Sequence, residues 1–375
     1  MIILALTLSI LYLIIIGVFI FGFSKLPNFK LSDLSPEIKF SVIVPFRNEA
    51  SNLPTLLGSF SNLTYPTNFF EIILVNDESS DDFKPIIDAF KKEYSTINLR
   101  VINVIRKSNS PKKDALNTAI NTANFDWIIT TDADCKVPKT WLTAFNEFIQ
   151  KNNPLFIAAP VLFEKRNSFL FHFQNLNFMS LIGTTIGSFG IKKPFMCNGA
   201  NLCYNKATFL KVKGFEENTN IASGDDIFLL EKMTKHFPDK VSYLKSKSSL
   251  VTTKAAKNWN NFIHQQIRWA SKSTYYKNTF AKLVGILVLL ENTLLISLLI
   301  SAFVKPKLWI LFLIVFAFKL LIDSALIIKT FSYFKSNLSV FHILVTSLLY
   351  PIFIGFIGFI SLFKKYQWKG RMFKK

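Results

Sequence analysis

EIILVNDESSDDFKPIIDAFKKEY, residues 71–94, contains the repeating pattern from which the fold is read. An apolar run of strand length, Glu71–Val75, stops at the polar trio Asn76-Asp77-Glu78. Turn-forming residues follow, and from Pro85 to Tyr94 the apolar positions return at helical spacing, with Ile86, Ile87 and Phe90 on one side. Strand, polar corner, helix is half of a β-α-β unit, and the neighbouring sequence repeats it. Strands are predicted at Phe40–Val44, Leu99–Val104, Trp127–Thr131 and Phe156–Val161. Helices are predicted at Ala50–Phe60, Lys113–Ala123 and Pro138–Phe148. Regular alternation of this kind predicts a parallel, doubly wound α/β sheet.

In such sheets ligands gather outside the carboxyl ends of the strands. Polar residues occupy those ends here. Arg47-Asn48-Glu49 follows the first strand, Asn76-Asp77-Glu78 the second and Asp132-Ala133-Asp134 the fourth, so separate strands deliver acids to one edge.

Either side of this region the composition changes. Residues 2–23 are almost uninterruptedly apolar, long enough for a hydrocarbon core that needs roughly 20 helical residues. The run lacks a basic start and a small-x-small cleavage site, so it reads as a retained anchor. Three further apolar stretches, 281–304, 308–328 and 338–363, make the last third membrane material. The expected organisation is an anchor at 1–23, an α/β domain at 24–280, membrane segments at 281–363 and a basic cytoplasmic tail at 364–375. Segment 169–195, aromatic and nearly acid-free, reads equally as a mobile piece near the membrane surface and as a core helix with its loop.

The formal net charge of +20 does not make this a nucleic-acid-binding chain. Beyond residue 280 there are twelve Lys or Arg against two acids, and six of the twelve fall in the tail, beside lipid. A basic cluster next to an apolar span faces anionic headgroups on the cytoplasmic side. Lys25, Lys30 and Lys39, after the first span, put the α/β domain on that side too. Four full crossings would then leave the tail outside. One segment must therefore fail to cross once, or cross twice; 281–304, with Glu291-Asn292 at its centre, is one candidate, and a reversal of 338–363 at Pro351 is the other. Cys135, Cys197 and Cys203 fit neither a disulfide framework nor a zinc site, and the four histidines fit no metal spacing.

Each polar site has a chemical reading and a plain one. Asp77 ends a strand where a carboxylate meets a ribose or base, or else serves its turn. Asp132 and Asp134, two apart at a strand end, suit a diphosphate site that holds Mg²⁺ or Mn²⁺ through oxygen. Gly224-Asp225-Asp226 precedes the apolar run Ile227–Leu230; it presents a carboxylate as a general base, or caps a helix. Gln265, Arg268 and Trp269 share one side of a predicted helix, Trp259–Lys272. There Arg suits phosphate and Trp a sugar face, although an interfacial helix uses both as well. Lys112 neutralises donor phosphate or is an exposed helix start.

Taken in order, SVIVPFRNE (41–49), LVNDESSDD (74–82), KKDALN (112–117), TTDADC (130–135), NGANLCYNKATFLKVKGF (198–215), SGDD (223–226) and QQIRW (265–269) resemble the family 2 inverting glycosyltransferases of GT-A fold. The similarity is to the membrane-bound branch with cellulose, chitin and hyaluronan synthases and ceramide glucosyltransferase. It implies a hexosyl-transferring enzyme, multi-pass in the cell (inner) membrane, with a nucleotide-sugar donor, UDP-sugars among the candidates, and a lipid or glycan acceptor. Pro45, Arg47, Glu49, Asp77, Lys112 and Asp132 would bind the donor, and Asp132 with Asp134 the metal. Asp226 would be the catalytic base, and Asp225, Gln265, Arg268 and Trp269 would serve acceptor and diphosphate. Asn76 and Glu78 depart from the residues usual beside the first acid, and Asp225 stands where Glu is usual. A processive polysaccharide synthase is the rival reading, and a non-catalytic scaffold of the same fold the second.

Overall fold

The computed structural model describes residues 2–363 and 365–373; Lys364, Lys374 and Lys375 of the basic tail lie outside them. The chain divides into two units, Pro27–Glu164 with Met196–Lys254, and Met1–Leu26 with Lys165–Phe195 and Ala255–Lys375. Elements are numbered along the chain, beginning with α1 (Ile2–Lys25) of the second unit.

The first unit is α/β. It runs β1 (Phe40–Phe46), α2 (Leu53–Ser61), β2 (Phe70–Asn76), α3 (Lys84–Glu93), β3 (Asn98–Asn103), α4 (Pro111–Thr122), β4 (Trp127–Thr130), β5 (Cys135–Lys136), α5 (Trp141–Asn152), β6 (Phe156–Ala158) and β7 (Val161–Phe163). After α6 (Phe169–Gly190), which belongs to the second unit, come β8 (Leu202–Asn205), α7 (Lys206–Lys211), α8 (Asp225–His236), β9 (Val241–Tyr243) and β10 (Val251–Thr253).

Seven strands form one sheet in the order β3-β2-β1-β4-β8-β6-β9. The predicted parallel core is present, with Val42 facing Ile72 on one side and Ile129 on the other. Ile43, Val44 and Ile72 to Val75 are fully buried, as expected of strands covered on both faces. The sheet is mixed, however, because β8 runs antiparallel to both β4 and β6. The predicted strand at 156–161 is also two strands in two sheets. Pro160, which has no N–H to continue a ladder, separates β6 from β7, and β7 joins β10 and β5 in a small second sheet.

Glu71 lies inside the sheet, fully buried, and is satisfied by the Ser41 hydroxyl at 2.6 Å, the Asn124 backbone N–H at 2.6 Å and Nδ2 at 2.8 Å, and Arg100 Nε at 3.3 Å. A carboxylate with that many donors is tolerated in a core and pins the strand edges around it.

The second unit is helical: α1, α6, α9 (Trp259–Ser273), α10 (Thr279–Val304), α11 (Leu308–Phe334) and α12 (Val340–Phe363), closed by a hairpin of β11 (Tyr366–Trp368) and β12 (Arg371–Phe373). Four of these, α1, α10, α11 and α12, are long and apolar enough to cross a membrane. α10 is one continuous helix with Glu291 and Asn292 buried, and α12 runs unbroken through Pro351, so the chain does not reverse there. Segment 169–195 is the core helix of its two readings. α6 meets α1 where both lack side chains: a Cβ on Gly187 would stand 2.4 Å from the Phe19 carbonyl oxygen, and one on Gly22 2.1 Å from that of Gly187. Small residues let helix backbones approach closely, the usual device between helices in lipid. Toward the other end of α1, Ala5 forms a buried cluster with Leu295 and Leu298 of α10 and Leu311, Phe312 and Val315 of α11.

Candidate active site

The α/β unit holds two polar groupings at the strand ends. The first surrounds Asp77, which is 5% exposed. Arg106 pairs with its carboxylate and also lies 3.7 Å from both Glu78 and Asp114. Arg47 Nη1 donates to the carbonyls of Asp77 (2.7 Å) and Glu78 (2.8 Å), tying the corner after β1 to that after β2. Asn48 Oδ1 accepts from the Ser80 N–H at 2.8 Å, and Asp81 Oδ2 from the Ala50 N–H at 2.6 Å. Glu49 is buried and accepts from Asn52 at the start of α2, while Pro45 sits within β1 opposite Val75. Arg47 and Glu49 thus both make contacts that shape these corners. Arg106 was not foreseen, since an arginine seven residues before α4's Lys113 carries no local signal.

The second grouping centres on Lys112, in the first turn of α4. Its ammonium lies 2.7 Å from Asp132 Oδ1, after β4, and 3.3 Å from Asp225 Oδ2, in the first turn of α8. Burial alone would lower the Lys112 pKa, but Asp132, Asp225 and Asp226 outweigh it and hold the ammonium above the ordinary lysine range. Lys113 goes elsewhere: fully buried, it donates to the carbonyls of Asn218 (2.6 Å) and Ile221 (2.9 Å), anchoring the loop that leads to α8.

Asp226 accepts from the Ile227 N–H at 2.8 Å and from the Gly199 N–H at 3.3 Å. Gly199 is the close-approach point of the site. A Cβ there would stand 2.9 Å from Asp225 Oδ2, 3.3 Å from Lys112 Nζ and 3.6 Å from Asp226 Cβ, and its carbonyl is held by the Thr130 hydroxyl at 2.9 Å. The NGAN segment therefore owes its glycine to the acids around it, a role invisible in sequence alone. Asp134 lies in the turn between β4 and β5, where Cys135 Sγ approaches its Oδ1 at 3.9 Å. Burial pushes the thiols of Cys135 and Cys203 up, which keeps both protonated and inert.

The donor set fits a divalent cation of a particular kind. Asp132 and Asp134 offer hard carboxylate oxygens, yet no group of three or more potential ligands occurs among the described residues. Carboxylate oxygens of this kind suit a divalent cation such as Mg²⁺ or Mn²⁺, which is commonly bound through one or two carboxylates together with water and a substrate's phosphates.

Gln265, Arg268 and Trp269 lie on α9 of the helical unit. α9 starts at Asn258, whose side chain accepts from the Asn261 N–H at 2.9 Å, as an N-cap should. Gln265 Oε1 is buried and accepts no hydrogen bond among the described residues. A buried acceptor left unmet in this way is open to a donor from outside the chain.

The mixed sheet, with acids at the ends of β2 and β4 and at the start of α8, is the GT-A arrangement. A mannosyltransferase from Pyrobaculum calidifontis, PcManGT, solved with GDP-Man and Mn²⁺, matches over 96% of this chain and 95% of its own, with TM-score 0.56 at 13% identity. That likeness concerns the fold. The model of glycosyl transferase family 2 matches residues 41–210, and that of glycosyl transferase family group 2 matches 127–358. The chain belongs to the family 2 glycosyltransferases.

Among curated relatives, the probable glycosyltransferase YdaM of Bacillus subtilis (strain 168) is 38% identical over 96 residues, 26% of this chain and 23% of its own. Poly-beta-1,6-N-acetyl-D-glucosamine synthase of Staphylococcus epidermidis is 30% identical over 146 residues, 38% of this chain and 33% of that one. The undecaprenyl-phosphate 4-deoxy-4-formamido-L-arabinose transferase of Serratia proteamaculans (strain 568) is 34% identical over 112 residues, 29% and 32% respectively. The chain thus spans about a quarter to a third of the length of these relatives.

Proposed function

We propose that this protein transfers a sugar from a nucleotide-sugar donor to a lipid or lipid-linked glycan acceptor by a single inverting displacement. The observation that carries the reading is the convergence of Lys112, Asp132 and Asp225 with Asp226 beside Gly199. Asp226 takes the proton of the acceptor hydroxyl, whose oxygen attacks the anomeric carbon. Its two backbone donors fix the carboxylate's direction, so the base is oriented before the acceptor arrives. Lys112, held protonated, faces the leaving diphosphate and keeps Asp132 and Asp225 in place. Asp77 and Arg106 serve the nucleoside, with Pro45, Arg47 and Glu49 shaping the corner around them. Asp132 and Asp134 would hold a divalent cation, which would supply Lewis-acid neutralisation of the departing charge. Its support is the donor chemistry above and the Mn²⁺ in the PcManGT complex.

Gln265, Arg268 and Trp269 are assigned to acceptor and diphosphate, on the strength of the buried Gln265 oxygen and the motif order. A lipid acceptor is favoured because α9 leads within six residues into α10, an apolar helix of spanning length. The similar transferase of Serratia proteamaculans carries undecaprenyl-phosphate in its name. We place the protein in the cell membrane with the α/β unit on the cytoplasmic face. The processive alternative has one specific observation behind it, the similarity to the Staphylococcus epidermidis polysaccharide synthase. Purified protein offered a panel of nucleotide sugars with membrane lipid extract tests both. One added sugar on a lipid supports the proposal, a polymer ladder supports the alternative, and no transfer with any donor refutes both.

A further inference from the structure

α6 received no chemical role from sequence, yet its side chains reach the segment that enters α9 and α9 itself at Gln266 and Trp269. At the entry to α9, Gln174, 1% exposed, clamps Ala256 from both sides of its peptide: its Nε2 donates to the Ala256 carbonyl at 3.1 Å and its Oε1 accepts from the Ala256 N–H at 2.9 Å. Midway, Asn177 Nδ2 donates to Gln266 Oε1 at 3.3 Å, and Asn177 Oδ1 accepts from the Tyr350 hydroxyl of α12 at 3.1 Å. Asn177 is 5% and Gln266 6% exposed, so neither bond competes with much water. Toward the end, the Phe178 ring stacks on Trp269, centroids 6.2 Å apart. Rotation of α9 is blocked on its apolar side as well, where Ile267 packs with Ile357 of α12 and Tyr366 of the terminal hairpin. α6 itself has little freedom, being seated on α1 through Gly187 and Gly22.

We propose that Gln174 and Asn177 are positioning residues for the transfer reaction. They set the register and rotation of α9, and thereby the direction of Gln265, Arg268 and Trp269, and Tyr350 ties that setting to α12. This rests on the acceptor role assigned to those three residues. A helix held only by apolar packing can turn or slide by part of a residue, whereas a backbone clamp at one end and a directional side-chain bond in the middle allow one setting. Positioning errors of about 1 Å are enough to cost a transfer reaction heavily.

The test uses the full chain in lipid nanodiscs, with variants Asn177→Leu, Gln266→Leu, their double, and Tyr350→Phe, which removes one hydroxyl and spares the fold. Acceptor kcat/KM should fall about tenfold in Gln266→Leu and further in Asn177→Leu, which also loses the Tyr350 bond, and the double should fall no further than Asn177→Leu, because the Asn177–Gln266 link is then already gone. Tyr350→Phe should lose about fivefold, the worth of one net hydrogen bond. Affinity for UDP should stay within about twofold throughout. Additive losses, or UDP affinity falling in parallel, would reduce Asn177 to a stability residue and overturn the proposal. Hydrogen exchange of residues 259–273 provides a readout independent of turnover, and should quicken in Asn177→Leu and Tyr350→Phe. Unchanged exchange overturns the positioning role. Absence of transfer in the unaltered protein, with exchange still responding, overturns only the acceptor assignment.

Discussion

Replacing Lys112 by Met removes the ammonium shared by Asp132 and Asp225 while keeping most of the side-chain volume. The ammonium is 2.7 Å from one carboxylate and 3.3 Å from the other, with side-chain exposures of 15% for Lys112, 12% for Asp225 and 37% for Asp132. At an effective dielectric of about 20, each contact is worth about 5 kcal/mol gross. Most of that is offset by desolvation of the ions. The half-open Asp132 is further screened by water, so the expected loss of folding stability is only about 1–2 kcal/mol. Donor binding should suffer more, because the diphosphate would then approach Asp132, Asp225 and Asp226 without the neutralising ammonium. A loss of about 2–3 kcal/mol, roughly 30- to 150-fold in Kd for UDP, is expected. The effect also has a pH signature. The folded-state pKa of Lys112 is raised, so its contribution is fully present below its unfolded value of about 10.4 and is lost only as pH rises through the folded value. Between about pH 6 and 9 the stability difference between protein and variant should therefore be flat. Calorimetry with UDP and thermal melts across pH provide the assay. A variant that binds UDP as tightly as the unaltered protein would refute the account of this cluster.

Asp134→Ala should weaken UDP binding only when Mn²⁺ is present; calorimetry with and without the cation reads this, and an unchanged metal effect removes Asp134 from the metal site. Gly199→Ala should cut transfer at least tenfold while leaving the fold intact, since the new Cβ sits 2.9 Å from Asp225 Oδ2 and must push the acid or lysine aside; steady-state kinetics with circular dichroism check it. Gly187→Val places branched carbons against the Phe19 carbonyl of α1 and should cost folded yield in detergent, read by size-exclusion chromatography.

How much of this was legible beforehand follows from the range of each signal. The strands around Val42, Ile72 and Ile129 announce themselves because a buried parallel strand is a local apolar run, and the spans do so by length. The acids at the strand ends follow from the same alternation. β8's antiparallel course was hidden, because strand direction is set by partners far apart in sequence. The chain's division was hidden too: α6 and α9 join the helical unit although they lie outside the apolar ends, since α6 is buried on several sides and shows no single apolar face. Arg106 pairs with Asp77, 29 positions before it, and Gly199 lies against Asp225, 26 positions after it, so composition gave them no mark. Arg47, read from sequence as a donor-site residue, also donates from Nη1 to the carbonyls of Asp77 and Glu78, contacts that its position after β1 did not announce.

The most direct measurement is transfer by Asp226→Asn. The amide keeps the size of the side chain and an oxygen for one of the two N–H groups, that of Ile227 or that of Gly199, which the carboxylate accepts on separate oxygens, but it cannot take a proton. With the donor and acceptor found in the screen, the account predicts UDP affinity within about twofold of the unaltered protein and transfer reduced by at least about 10²-fold, the usual worth of a general base. Transfer near the original rate in that variant would contradict the assignment of Asp226 as the base and, with it, the proposed displacement.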